Sequence, residues 1–252
     1  MSTAVAHQTQ PATVTSYLPG RRYDHLFFAG MSCLMLATVF VGFAPTYYLA
    51  GLFHAPLPSL IVHVHGAVFS CWILLLLTQT SLVSARRVDI HRRLGIAGFV
   101  LACLMVIVGV MAATDALVRR AGPVGRDPLS FYIIPLTDML VFATLIVFAF
   151  RNRLNAPAHK RLIYVATSGI LIAAIGRWPW SFVHRNPAQH AAFGVYGFLL
   201  VLMIYDLWAT RKVHRATLWA SAFLIFVYQV RLLIGKTAVW HTFASWAQAL
   251  AG

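Results

Sequence analysis

Seven apolar stretches, each of about 20 residues or more, follow one another along this chain, at roughly 24–52, 57–84, 91–117, 128–150, 158–183, 190–210 and 214–236. A helix of about 20 residues crosses the ~30 Å hydrocarbon core of a bilayer. Only 10% of the residues are charged, against about 25% in an ordinary soluble domain, and 60% are hydrophobic. The expected fold is therefore an all-α, polytopic membrane bundle of seven transmembrane helices, with the lipid bilayer as its first partner. Residues 1–20 are polar and are expected to be a disordered or interfacial tail. Residues 21–236 hold the seven-helix domain, and 237–252, with two Trp, read as a short amphipathic tail at headgroup level. No cleavable signal peptide is visible.

The formal net charge of +14 sits in loops between the apolar runs, so nucleic acid is an unsuitable partner. One set of loops carries Arg21, Arg22, Arg86, Arg87, Arg92, Arg93, Arg151, Arg153, Lys160, Arg161, Arg211, Lys212 and Arg215. The opposite set is poorer, with Arg119, Arg120, Arg126 and Arg185. The positive-inside rule puts the N-terminus in the cytoplasm and the C-terminus outside, in a bacterial-type inner membrane. Cys33, Cys71 and Cys103 lie in apolar runs without metal-ligand spacing and read as small buried thiols.

Ionisable residues within spans are costly and demand a reason. The acids are Asp115, Asp138 and Asp206, and the cations nearest the spans are Arg177 and Arg231. Ion pairing of Asp115 with Arg177 or Arg231 is one explanation, which leaves Asp138 without an evident partner at its own depth. The histidines divide by side. His25, His91, His159 and His214 open the odd-numbered helices among basic residues, a weak repeat visible in "HRRLGIAGF", "HKRLIYVAT" and "HRATLWASA". His54, His63, His65, His184, His190 and His241 lie toward the other side. Two residues apart on a helix means about 200° of rotation, so His63 and His65 cannot share one ligand.

Haem b is the cofactor that best suits paired histidines on facing helices. His91 with His159 is the expected pair near the cytoplasmic face, with Arg92 or Arg161 at the propionates and Gln79 nearby. His65, or His63, with His190 is the corresponding outer pair. A copper or zinc ion held by His63, His65 and Asp115 is an alternative, as is no cofactor at all. The metalloprotease HExxH, a desaturase histidine cluster and a nucleophile elbow are all missing from the sequence. The three lysines stand at helix ends, which disfavours a covalent retinal.

The order His65-Gly66, Trp72, Gln79, Arg86/Arg87 and "HRRLG" at 91–95 resembles an uncharacterised bacterial family of predicted membrane proteins. Members of that family pair this run with a later "HRRWM" segment, to which "HKRLIYVATSGILIAAIGRW" is similar, with Leu162-Ile163 in place of Trp-Met. The likeness covers His65, Gln79, His91 and His159. The helix arrangement is also similar to the b-type di-haem transmembrane cytochromes, which hold one haem near each face between two pairs of His. The resemblance to those cytochromes implies an outer-side His in the fourth helix, where this chain has Tyr132 and Asp138.

The expected function is a membrane redox protein that binds b-type haem and passes electrons from a quinol or another donor, with a haem-dependent oxidoreductase as the enzyme class this implies. The alternatives are a cofactor-free transporter or channel working through Asp138, and a non-catalytic partner or sensor subunit.

Overall fold

Local signals set the helix boundaries. Asp127 caps the fourth span by accepting hydrogen bonds from the Leu129 and Ser130 N–H groups, with Pro128 in the first turn. Asn155 caps the fifth by accepting from Ala158, and His214 the seventh by accepting from Ala216. Arg86, Arg120 and Arg211 follow the ends of the second, third and sixth spans in the left-handed region (φ 60°, 51° and 60°), the place where glycine commonly closes a helix.

A computed structural model describes residues 23–56, 58–122, 125–181, 183 and 187–252. The expected tail at 1–20, together with Arg21, Arg22, His184 and Arg185, lies outside the described residues. The spans are α1 (Asp24–Phe43, extended by a π-turn at Ala44–Tyr48), α2 (Leu60–Ser84), α3 (Val88–Val118) and α4 (Pro128–Arg151). They continue with α5 (Ala156–Ile170, extended by Ile172–Ile175), α6 (Pro187–Thr210) and α7 (Arg215–Ile234). A final helix, α8 (Ala238–Ala251), follows. Seven helices are thus long and apolar enough to cross a membrane, and the chain is an all-α, multi-pass membrane bundle. The first and fifth spans stop short of their expected ends because the π-turn and the Gly176–Pro179 turn intervene.

α5 is the most enclosed helix, packed against α4, α6 and α7, with its last turn against α1. The other spans surround it in the order α1, α2, α3, α4, α7, α6. The ring closes where Phe27 of α1 stacks on Tyr205 of α6, with ring centroids 3.7 Å apart. The outer surface is apolar, with Leu34, Leu74, Val100, Ile107, Phe148, Ile204 and Phe226 exposed, as lipid requires. Cys33, Cys71 and Cys103 are exposed on that surface, which corrects the expectation of buried thiols.

Small and hydroxyl-bearing residues fill the interior. Gly42 on α1 lies against the backbone of Ala174, so that a Cβ there has no room. Tyr164 on α5 donates to the Phe28 carbonyl (2.6 Å) and shares hydrogen bonds with Ser32 (2.5 Å) and Thr80 (3.2 Å), which ties α1, α2 and α5 together. The amphipathic helix expected near the C-terminus is α8. It lies across α3 and α4, where the Trp240 indole donates to the Leu129 carbonyl (2.8 Å) and Gln248 to the Leu117 carbonyl (3.1 Å).

Candidate functional site

His91 enters from the first turn of α3 and His159 from the first turn of α5, at the end of the bundle formed by the basic loops. Their ring centroids are 6.5 Å apart and their planes 84° apart. Two metal–imidazole bonds of about 2 Å each would place coaxial rings roughly 6 Å apart, centroid to centroid. His159 Nδ1 lies 2.8 Å from the Ala149 carbonyl oxygen. A carbonyl oxygen can only accept, so Nδ1 carries a hydrogen and Nε2 is the nitrogen left for a ligand. Metal-ligating histidines are oriented in this way.

His91 is half-buried, and its Nδ1 is sealed from solvent without a hydrogen-bond partner; so is Oε1 of Gln79 on α2. A side chain at Gly95 would meet Gln79 Nε2 at 3.6 Å, so Gln79 lies on the α3 face that carries His91 one turn earlier. Three of the four residues that carry the sequence resemblance therefore converge, leaving two orphaned polar atoms in the same corner. The Gln79 oxygen can only accept and so calls for a donor, while the His91 nitrogen can meet a donor, an acceptor or a metal. His91 and His159 are the two side chains in this corner that could hold a metal-centred cofactor. Arg92 is exposed beside His91 and free to meet an anionic substituent.

Other expected roles are corrected. Arg161 does not face the histidine corner. It is buried on the other side of α5, donates from Nε (2.8 Å) and from a terminal nitrogen to Asp206 Oδ1, and bonds the Pro157 carbonyl (2.9 Å). The second oxygen of Asp206 accepts from Thr217 Oγ1 (2.6 Å) and from the His214 N–H (3.0 Å). This buried pair has its partners in protein and joins α5, α6 and α7. Beside it, Asp24 receives Lys160 (2.6 Å) and the Tyr205 hydroxyl (2.5 Å).

Asp138 has the partner that the sequence did not reveal. Arg231 of α7 approaches to 2.5 Å with both side chains buried, and the Tyr228 ring lies 3.8 Å beneath the guanidinium. Asp115 pairs with neither Arg177 nor Arg231. It accepts from Arg119 (2.6 Å), one helical turn away, and from Ser59 (3.1 Å). His63, His65 and Asp115 form no metal cluster, and no group of three or more potential ligands converges among the described residues.

At the opposite end, His63 is exposed and His65 half-buried, in agreement with their rotation about the helix. The ring contact of His65 is Phe69, one turn along its own helix at 4.1 Å, and no ring contact joins it to His190 among the described residues. His65 Nδ1 is buried without a partner. Arg177 lies within electrostatic reach of it, over the Phe43 ring (4.9 Å), and donates to the Ala173 carbonyl (2.7 Å). Burial lowers the Arg177 pKa from its usual value, although its side chain keeps an exposed surface.

The hydroxyl network of Ser32, Thr80 and Tyr164 and the Lys160–Asp24–Tyr205 group were not foreseen. Their signal was polar residues recurring within apolar runs, but the partners lie up to 181 residues apart. No family model matches the chain, and no match is found among curated proteins or solved structures.

Proposed function

We propose that this protein is a membrane redox protein that holds b-type haem between α3 and α5, with His91 and His159 as axial ligands. The observation that carries this reading is the facing pair of rings, 6.5 Å apart, with one ring held by a backbone carbonyl so that its other nitrogen is free. The amide N–H groups of Gln79 and the exposed Arg92 beside the pair would donate to anionic groups at the edge of the macrocycle. Bound there, haem supplies one-electron chemistry. The chain contributes the rest: Ala149 fixes the His159 tautomer, and the apolar surround raises the weight of every charge near the site.

The reading covers one haem per chain. The outer pair of His65 and His190 does not enter it, because no contact brings the two rings together among the described residues. The membrane is a bacterial-type inner membrane with the N-terminus and the histidine corner on the cytoplasmic side, as the loop charges favour. A quinol or a soluble donor reaching that side is the electron source. The transporter alternative is weakened by the Asp138–Arg231 pair, since the proposed carboxylate is already neutralised by a cation.

The test is the reduced-minus-oxidised absorption spectrum of protein purified from cells supplied with haem precursor. The expected result is a Soret band with sharp α and β bands on dithionite addition, at about one haem per chain. Colourless protein from such cells, which gains no spectrum when hemin is added, would overturn the proposal.

A further inference from the structure

We infer that the exposed arginines framing the histidine corner are a docking face for an acidic, soluble one-electron carrier protein; this rests on the haem reading of that corner and names its donor.

The corner lies near the end of the bundle. His91 stands three residues into α3 and His159 three residues into α5, about 5 Å along each axis from the first residue of the helix. Both side chains are half-buried, so the pair reaches the rim and is not sealed in the middle of the bundle. A group held between them presents its edge to the aqueous side, where a soluble carrier can approach it directly. A quinol dissolved in the hydrocarbon core would have to rise to the rim to do the same.

Two loops frame the corner. Arg86, Arg87, Arg92 and Arg93 stand on the α2–α3 turn and the first turns of α3, and Arg151 and Arg153 on the α4–α5 turn; all six are exposed. The Arg153 guanidinium lies 4.7 Å over the Phe150 ring, and Phe150 stacks on Phe99 of α3 at 4.2 Å. These contacts hold the α4–α5 turn against α3, so the arginines of both loops share one face.

Little on that face neutralises them. Among the described residues the one acid on these two loops is Asp89, 3.6 Å from Arg87, with the two side chains 63% and 58% exposed. Arg86, Arg92, Arg93, Arg151 and Arg153 meet no carboxylate among the described residues. The positive-inside rule accounts for cations at this end of the bundle. It does not require their charge to stay unpaired on the surface around a redox site. A face of one sign attracts a partner of the other, speeds the encounter and fixes its orientation. Electron-carrier contacts are small and transient, so charge can steer them without a large apolar patch. On docking, one electron leaves the reduced carrier and converts ferric haem to ferrous; no bond forms or breaks.

Arg211 and Lys212 are also exposed at this end, on the α6–α7 loop, across α5 from α3. They provide the control that separates a docking face from a general excess of cations.

The test uses the purified full chain in phosphatidylcholine nanodiscs, with an acidic flavodoxin as the probe. Saturable binding at low salt is expected. It should weaken about tenfold or more in Arg86→Gln/Arg87→Gln/Arg151→Gln and be unchanged in Arg211→Gln/Lys212→Gln. Raising the salt from about 20 mM to about 300 mM should weaken binding to the parent by a similar factor, a measurement that needs no variant to fold. Stopped-flow reduction of the haem by reduced flavodoxin should slow in the triple variant as binding does, while reduction by the uncharged duroquinol keeps its rate. Binding that is absent, insensitive to salt or weakened equally in both variants overturns the inference. So does phosphatidylglycerol binding that depends on the same arginines in discs that bind no flavodoxin, which assigns the face to lipid. A colourless parent fails the haem reading alone, because the binding measurement needs no haem and decides the docking face by itself.

Discussion

Replacing Arg161 with Met separates a structural role for this cation from a role in holding a cofactor. The Arg161 and Asp206 side chains are 4% and 0% exposed, so solvent cannot replace what the substitution removes. The variant loses two hydrogen bonds to Asp206 and one to the Pro157 carbonyl, and leaves a buried carboxylate. Breaking a buried pair by deleting one partner costs about 3–5 kcal/mol. Thr217 and the His214 N–H still donate to that carboxylate, which places the expectation near the lower end, at ~3 kcal/mol. Asp206→Asn keeps an oxygen for those two donors, so the double variant Arg161→Met/Asp206→Asn is expected to cost only ~1 kcal/mol. The double-mutant cycle should then show a coupling of about 2 kcal/mol or more. The assay is equilibrium unfolding in mixed micelles with increasing sodium dodecyl sulfate. An Arg161→Met cost below ~1 kcal/mol, or strictly additive single effects, would refute the reasoning. Haem content should be unchanged in folded Arg161→Met, because the guanidinium faces α6 and α7 and not the histidine corner.

Gly42→Ala should destabilise the bundle by ~1–3 kcal/mol because the new methyl runs into the Ala174 backbone. Gly30→Ala, where the same probe meets nothing within 4 Å, should be neutral or slightly stabilising; the same micelle assay compares the two. Tyr164→Phe should cost ~1 kcal/mol, read in that assay, since it removes the hydroxyl shared with Ser32, Thr80 and the Phe28 carbonyl, while Ser32 and Thr80 keep their bonds to each other and to helix carbonyls. Burial, followed by the charge of Arg161, holds the His214 imidazole below its usual pKa, and its Nδ1 accepts the Ala216 N–H as the α7 cap. The folded state therefore disfavours protonation. This contribution is fully present above the unfolded pKa of about 6.5 and is lost as pH falls through the lower folded value. Unfolding followed against pH should show that loss in the parent and not in His214→Asn, which keeps a capping oxygen.

The spans were legible because hydropathy and length alone select transmembrane helices, and each expected run overlaps an observed one. Their ends were less so. Apolar sequence continues through residues 44–52, and only the three-dimensional turn shows where α1 stops. The facing of His91 and His159 was legible as a matter of side and position, since both open odd-numbered helices among basic residues. The roles of the other histidines in that repeat were not: His214 is a cap and His25 is exposed. Charge pairing was the least legible feature. Asp138 and Arg231 are 93 residues apart and meet only because α4 and α7 are neighbours around α5. Arg161 follows His159 by two positions, and the same helical rotation that separates His63 from His65 turns it away from the histidine corner.

The central claim is that His91 and His159 together hold haem. Its most direct test is the reduced-minus-oxidised spectrum of His91→Ala and His159→Ala, each purified in folded form beside the parent and His25→Ala. The parent and His25→Ala are expected to show a low-spin b-type spectrum, which is lost or converted to a high-spin form in each of the other two. An unchanged spectrum in either His91→Ala or His159→Ala would contradict the claim.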